Sequence, residues 1–205
     1  MKILCVGMNY PEHNKELSQS LYTTEPIIFS KPESALLREG APFFIPDFAQ
    51  RFDYEAELVV KIERTGKNIS ERFAHRYYDY VTVGIDFTAR DLQETLRAEG
   101  RPWELCKAFD GGAALGRMIA KTDLPRGIDD VSFHLDIDDV TVQRGYTREM
   151  IHSVDSVIAY CSKYFTLKTG DLIFTGTPVG VGPVSENQQL KAYIEDELVL
   201  KMKIK

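Results

Sequence analysis

The sequence predicts an α+β fold, and three observations lead there. Short apolar runs of strand character recur along the 205 residues. Segments of helical period are few, and the two kinds do not alternate in the regular βαβ manner of a doubly wound sheet. The length suits one large domain able to bury a core without staples.

Residues 2–6 form a strand-like run ended by Gly7, and residues 11–20 are polar, with room for one or two amphipathic helical turns. Residues 26–30 are a second apolar run, closed by Lys31-Pro32. Residues 52–63 alternate apolar and polar side chains, the pattern of a half-buried strand. Residues 70–80 read as a helix, with Ser70 at the N-cap and Ile69 set to staple onto Ala74. Residues 80–85 are strand-like again. Thr88-Ala89-Arg90-Asp91 has capping-box spacing, which predicts a short helix to about Glu99. Asp110-Gly111-Gly112 is a turn, and residues 133–137 alternate until Asp138-Asp139 closes them in a hairpin-like turn. Ile151, Val154, Val157, Ile158, Cys161 and Phe165 recur at helical spacing, so residues 153–165 form an amphipathic helix. Residues 172–175 are a strand that runs into the glycine-rich 176–182, and residues 190–194 and 198–204 close the chain as a hairpin.

Composition excludes several function classes. Aromatic residues at 11% and apolar residues at 43% exclude disorder of the whole chain. The net charge of −6 speaks against a binder of nucleic acid or anionic membrane, which needs a positive field. Cys5, Cys106 and Cys161 form no C-x-x-C pair, so a zinc ribbon, a thioredoxin-like site and a disulfide framework are not expected. No apolar run approaches the roughly 20 residues of a membrane span, and the N-terminal run is too short for a signal peptide. A cytoplasmic location is the expectation.

Five groups of residues could carry chemistry. Glu55 and Glu57 stand two apart in a strand, so they share a face at roughly 6.5–7 Å. Phe52, Tyr54, Ala56, Leu58 and Val60 then face the core. A solvated polar face is the default for such a pattern, but Val59 shares it, and two close carboxylates repel unless a cation lies between them. Oxygen-rich pairs of this kind suit Mg²⁺, Mn²⁺ or Ca²⁺. Asp86 comes at a strand end just before a helix start, where a carboxylate and anion-binding amides meet. Arg90 and Gln93 follow on one helical face. His13 and Glu16, three apart on a helical turn, can touch, and a carboxylate fixes an imidazole tautomer and raises its basicity. Lys107, near Trp103 and Phe109, is either a buried cation or a snorkelling surface lysine. Thr175 to Gly182 lacks the Gly-Lys-Ser/Thr ending and the helix of a P-loop, so a tight loop offering Thr177 and backbone amides to a carboxylate fits better.

Together these segments resemble the fumarylacetoacetate hydrolase family, specifically its small acylpyruvase and oxaloacetate decarboxylase type members. The residues that carry the resemblance are Val6-Gly7-Met8-Asn9-Tyr10 with His13 and Glu16, Phe29-Ser30-Lys31-Pro32, Tyr54-Glu55-Ala56-Glu57-Leu58, Asp86 to Gln93, Pro102-Trp103 with Lys107, and Thr175-Gly176-Thr177-Pro178. They stand in family order over nearly the whole chain. The resemblance implies a mixed β-roll, a single catalytic domain over residues 1–205 and a homodimer with one divalent metal, Mg²⁺ first, per subunit. It implies Glu55, Glu57 and Asp86 as metal ligands. His13 and Glu16 become a catalytic dyad on a mobile lid within residues 1–25, with Lys107 beside them. Lys31, Arg90, Gln93 and Thr177 become substrate-binding residues. Two positions depart from the family pattern: Ile85 where many members have Asn, and His152 where an apolar residue is usual.

The activity implied is metal-dependent cleavage of a β-keto-activated α-keto acid to pyruvate through a metal-bound enolate. Acylpyruvate hydrolysis and oxaloacetate decarboxylation are its two forms. The alternative is an isomerase, tautomerase or decarboxylase of 2-hydroxyhepta-2,4-diene-1,7-dioate-type or oxaloacetate enol substrates. A metal-stabilised dimer that only binds its ligand has no need of the His13–Glu16 pair.

Overall fold

The computed structural model describes residues 1–16, 24–37 and 40–205. Its strands are β1 (Ile3–Gly7), β2 (Ile27–Lys31), β3 (Phe52–Tyr54), β4 (Ala56–Ile62), β5 (Tyr78–Asp86), β6 (Thr88–Ala89), β7 (Ala113–Leu115), β8 (Ile119–Ala120), β9 (Ser132–Ile137), β10 (Val140–Tyr146), β11 (Leu172–Phe174), β12 (Gly182–Pro183), β13 (Gln189–Ile194) and β14 (Glu197–Lys203). The helices are α1 (Pro11–Glu16), α2 (Glu71–Ala74), α3 (Arg90–Ala98), α4 (Glu104–Lys107) and α5 (Val154–Tyr164).

The largest sheet runs β2-β1-β11-β4-β5-β7, with β8 also on β5. It is mixed, because β1 and β11 pair in parallel while its other neighbours are antiparallel. A four-stranded sheet, β10-β9-β13-β14, packs on it through β4 and β5. A small third sheet, β12-β3-β6, completes an α+β fold of many strands and few short helices.

The 52–63 run is not one half-buried strand. It breaks at Glu55, so that β3 joins the small sheet and β4 the large one. Both faces of β4 are covered: Leu58, Val60 and Ile62 point into the main core, and Val59 joins Ile3, Cys5, Ala113, Leu172 and Phe174 in a second apolar cluster. That second cluster is why Val59 shares a side with the glutamates.

Two helix expectations change. The 70–80 helix is the single turn α2, and Ser70 makes no side-chain cap. The chain must be extended from Tyr78, whose buried ring joins the core while its hydroxyl donates to Asp155 Oδ1 at 3.0 Å. The Thr88 capping box does not form either, because Thr88 and Ala89 pair with β3 as β6. α3 nevertheless follows at once. By contrast, the helix expected over 153–165 forms as α5, and Ser153 caps it, its Oγ accepting from the Ser156 amide at 3.2 Å. Asp138 and Asp139 turn the β9–β10 hairpin with left-handed φ values of 50° and 66°, the geometry of a two-residue turn matched to strand twist. β10, β7 and β8 were not legible beforehand.

Of the one or two helical turns for which residues 11–20 have room, α1 supplies Pro11–Glu16; residues 17–23, with the rest of that stretch and part of the expected lid, lie outside the described residues. Among the described residues no helix is long and apolar enough to cross a membrane.

Asp171 ties the two parallel strands together. Its buried carboxylate accepts the Lys2 amide at 2.8 Å, the Lys168 amide at 2.7 Å and the Lys2 ammonium. Burial opposes its charge, but these donors win and hold the carboxyl below its usual range. A depressed carboxylate contributes stability at neutral pH that is lost as pH falls through its folded-state value. Asp171→Asn should therefore cost about 1–3 kcal/mol at pH 7. In urea titrations its deficit against wild type should shrink on acidification, and an equal deficit at about pH 2 would contradict the assignment.

Candidate active site

Three chain segments converge on one point. Glu55 fills the break between β3 and β4, and its carbonyl accepts the Asp86 amide from the end of β5 at 2.9 Å. Glu57 stands opposite Gly84 in the β4–β5 ladder. A Cβ at Gly84 would come within 2.6 Å of Phe174 and 2.8 Å of Val59, so only glycine lets the second apolar cluster close there. β11 then leads into Thr175, Gly176 and Thr177, and the Gly176 amide donates to Glu57 Oε2 at 2.7 Å.

One oxygen from each of Glu55, Glu57 and Asp86 lies within 4.8 Å of the others, and all three residues are buried. The cations around them come from three elements. Lys107, at the end of α4, is buried rather than snorkelling. Its Nζ donates to Glu55 Oε2 at 2.7 Å, Asp86 Oδ2 at 2.8 Å and Thr88 Oγ1 at 2.6 Å. Burial disfavours its charge, but Asp86 and Glu55 outweigh that and push its pKa above the usual lysine value. Lys31, ending β2, lies 2.7 Å from Asp86 Oδ1 and donates to the carbonyls of Lys107 and Gly112. Arg90, opening α3, donates from Nη2 to Glu55 Oε1 at 2.5 Å, from Nε to Asp53 Oδ2 at 2.8 Å and from Nη1 to Gln93 Oε1 at 2.5 Å.

The carboxylates are unequally compensated. Burial opposes ionisation of Glu55, yet Lys107, Arg90 and His13 hold its carboxyl well below the usual range. Burial, Asp86 and Glu55 push that of Glu57 well above it. Asp86 Oδ1 is close to Lys31 but off hydrogen-bond geometry, which leaves a buried carboxylate oxygen without a donor. A cation held between the three residues would relieve both conditions. An all-oxygen carboxylate set fits Mg²⁺, Mn²⁺ or Ca²⁺ better than softer metals.

Across the cleft, His13 Nδ1 lies 3.0 Å from Glu16 Oε2. Glu16 in turn accepts the Gly180 amide at 3.1 and 3.3 Å. Gly180 has a left-handed φ of 103°, a conformation a side chain would strain. A carboxylate on Nδ1 leaves Nε2 as the basic nitrogen.

His13, Glu55, Glu57, Arg90, Gln93, Lys107 and Thr177 all line one cleft, walled also by Val6, Gly7, Met8, Phe29, Arg97 and Trp103. Asp86 and Lys31 join it through Lys107, and Glu16 through His13. Thr177 lines the cleft, and its hydroxyl donates to the Ala56 carbonyl at 2.9 Å. His152 contributes through its backbone, which exchanges two hydrogen bonds with the Asn9 side chain.

Sequence reasoning missed Asp53, Asn9 and Gln143. Asp53 had a signal, since it shares strand parity with Glu55 and Glu57. Gln143 had none. Buried on β10, it accepts the Ala56 amide at 3.0 Å and donates to Thr177 Oγ1 at 2.7 Å and the Pro178 carbonyl at 2.8 Å. Gln143→Leu removes three buried hydrogen bonds, so a loss of about 2–3 kcal/mol in chemical denaturation is expected; a loss below about 0.5 kcal/mol would refute this bridging role.

Residues 2–205 match the family model of the fumarylacetoacetate (FAA) hydrolase C-terminal region. The mitochondrial oxaloacetate tautomerase of Mus musculus is 37% identical over 203 residues, covering 99% of this chain and 91% of that protein. An oxaloacetate tautomerase of Escherichia coli (strain K12) is 37% identical over 189 residues, covering 92% and 86%. Among solved structures, fumarylpyruvate hydrolase from Pseudomonas aeruginosa in complex with Mn²⁺ and pyruvate superposes with a TM-score of 0.93 at 32% identity, covering 100% of this chain and 89% of that one.

Proposed function

The chain belongs to the fumarylacetoacetate hydrolase family, whose members are enzymes, and from that premise we propose that it is a divalent-metal-dependent enzyme that enolises β-keto-activated α-keto acids. Oxaloacetate keto–enol tautomerisation is the first reaction, and cleavage to pyruvate, by acylpyruvate hydrolysis or oxaloacetate decarboxylation, uses the same polarised α-keto group to stabilise the pyruvate enolate that the broken bond leaves. The observation that carries this reading is the pairing, across one cleft, of a buried carboxylate triad bridged by Lys107 with a His13–Glu16 couple. The names of the relatives, two tautomerases and a hydrolase holding Mn²⁺ and pyruvate, support it.

Glu55, Glu57 and Asp86 would hold the metal, Mg²⁺ or Mn²⁺ in this reading. When bound, it supplies Lewis-acid polarisation of an α-keto oxygen. Lys107 keeps its proton against burial and places fixed positive charge where enolate charge develops. His13 Nε2, with Glu16 holding Nδ1–H, takes the proton from the carbon between the two carbonyl groups. Returned to the keto oxygen, that proton gives the enol and completes tautomerisation. For hydrolysis His13 instead takes a proton from water, the hydroxide adds to the distal ketone of the keto form, and the acyl–carbon bond breaks to give a carboxylic acid and the enolate of pyruvate, which takes that proton back from His13 at carbon. When the distal group is a carboxylate, its bond breaks with loss of CO₂, and the same pyruvate enolate takes its proton at carbon from protonated His13 or solvent. Arg90, Gln93, Lys31 and Thr177 fix the geometry of that pocket. A homodimer, a single catalytic domain and a cytoplasmic setting belong to the same reading.

Two experiments test this. In calorimetry, Asp86→Asn should lose Mg²⁺ binding, and equal affinity in wild type and variant would sink the ligand assignment. In ¹H NMR time courses, Mg²⁺-loaded wild type should accelerate enol–keto exchange of oxaloacetate and release matched acetate and pyruvate from acetylpyruvate. Glu55→Gln should be silent, and His13→Ala should lose about 10²–10⁴-fold in rate with metal affinity retained. No reaction of wild type with either compound would overturn the proposal.

A further inference from the structure

α3 turns three polar side chains toward the cleft. Arg90, Gln93 and Arg97 recur at spacings of three and four residues, which places them on one helical face, and all three line the cavity wall. At 1.5 Å rise per residue, Arg97 stands about 10 Å along the axis from Arg90, farther from the carboxylate triad.

The cations of this wall are not in the same state. Arg90 is spent on Asp53, Glu55 and Gln93, Lys107 on Glu55, Asp86 and Thr88, and Lys31 beside Asp86 on two carbonyls. Half-buried Arg97 makes no ion pair among the described residues; its guanidinium lies 5.8 Å from the Trp103 ring. Burial and then the charge of Arg90 press its pKa down from the usual value, against a smaller opposite pull from Cys106, Glu55 and Glu94. Trp103 and Phe29 meet edge-on at 5.7 Å beside it and form an apolar wall, where a charge-assisted hydrogen bond gains strength.

An α-keto acid held by its keto-acid end at the triad carries its remaining substituent out along this wall. In oxaloacetate that substituent is a second carboxylate, and in acetylpyruvate a neutral methyl ketone. Building on the reading above, we infer that Arg97 is the specificity-determining residue of this cleft and receives the second carboxylate of a dicarboxylic keto acid. The site thereby reads charge at one end of the substrate and does its chemistry at the other.

Trp103 is the only tryptophan of the chain, so its fluorescence reports on this wall independently of turnover. Stopped-flow titration of the Mg²⁺-loaded protein would compare oxaloacetate with its 4-ethyl ester, which differs chiefly in the lost charge. Wild type should bind the dianion about 10- to 100-fold more tightly, the range for hydrogen bonds to charged groups. Arg97→Gln should bring that ratio to about threefold or less, and Arg97→Lys should restore part of it. A ratio near one in wild type, a ratio unchanged in Arg97→Gln, or no binding of either compound would each overturn the inference. A charge preference that depends on Arg97 without enol–keto exchange would leave the inference standing and sink the proposed reaction, so the two fail separately.

Discussion

Four carboxylates, those of Asp53, Glu55, Glu57 and Asp86, are buried at one meeting point of the sheets, against three buried cations, Lys31, Arg90 and Lys107. An unpaired charge in such surroundings costs several kcal/mol, so every element that supplies a cation is bound to the position of the carboxylates. β2 must end with Lys31 in reach of Asp86, α3 must open on Arg90 against Asp53 and Glu55, and the four-residue α4 must deliver Lys107 between Glu55 and Asp86. Half-exposed Arg51 adds a fourth cation at Asp53. Glu57 is the carboxylate with no cation on it: its partner is a neutral amide, and a divalent ion there would favour its charged form.

The two sides of the cleft are built differently. The carboxylate side rests on strand ends locked by backbone ladders and by ion pairs from three elements. The base side rests on α1, where Glu16 holds His13 and itself accepts the Gly180 amide. An ion-paired floor and a proton acceptor on a separate element suit a reaction in which charge must be stabilised at a fixed place while a proton travels.

Much of this was legible beforehand, because the signals were local. Alternation placed Glu55 and Glu57 on one side and Leu58 and Val60 in the core, and helical spacing found both α5 and the His13–Glu16 contact. What stayed hidden depends on partners far along the chain. The 70–80 segment has helical composition, but Tyr78 is claimed by β5 and the core. Thr88 has the spacing of a cap, but its hydroxyl is taken by Lys107 and its backbone by β3. Gln143 sits in an unremarkable strand, 87 residues from the Ala56 amide that it serves. No window of sequence contains both ends of such a bond.

The parallel pairing of β1 with β11 has a consequence for how the molecule is made. β1 and β2 are attached to the rest of the large sheet through β11 alone, and Lys2 and Asp171, which pin that seam, are 169 residues apart. β1 can join the sheet only when β11 is available, a non-local closure of the slow kind. The seam carries both sides of the cleft at once, since it fixes the strand that leads to Gly7 and Met8 and the strand that leads to the Gly176 amide on Glu57.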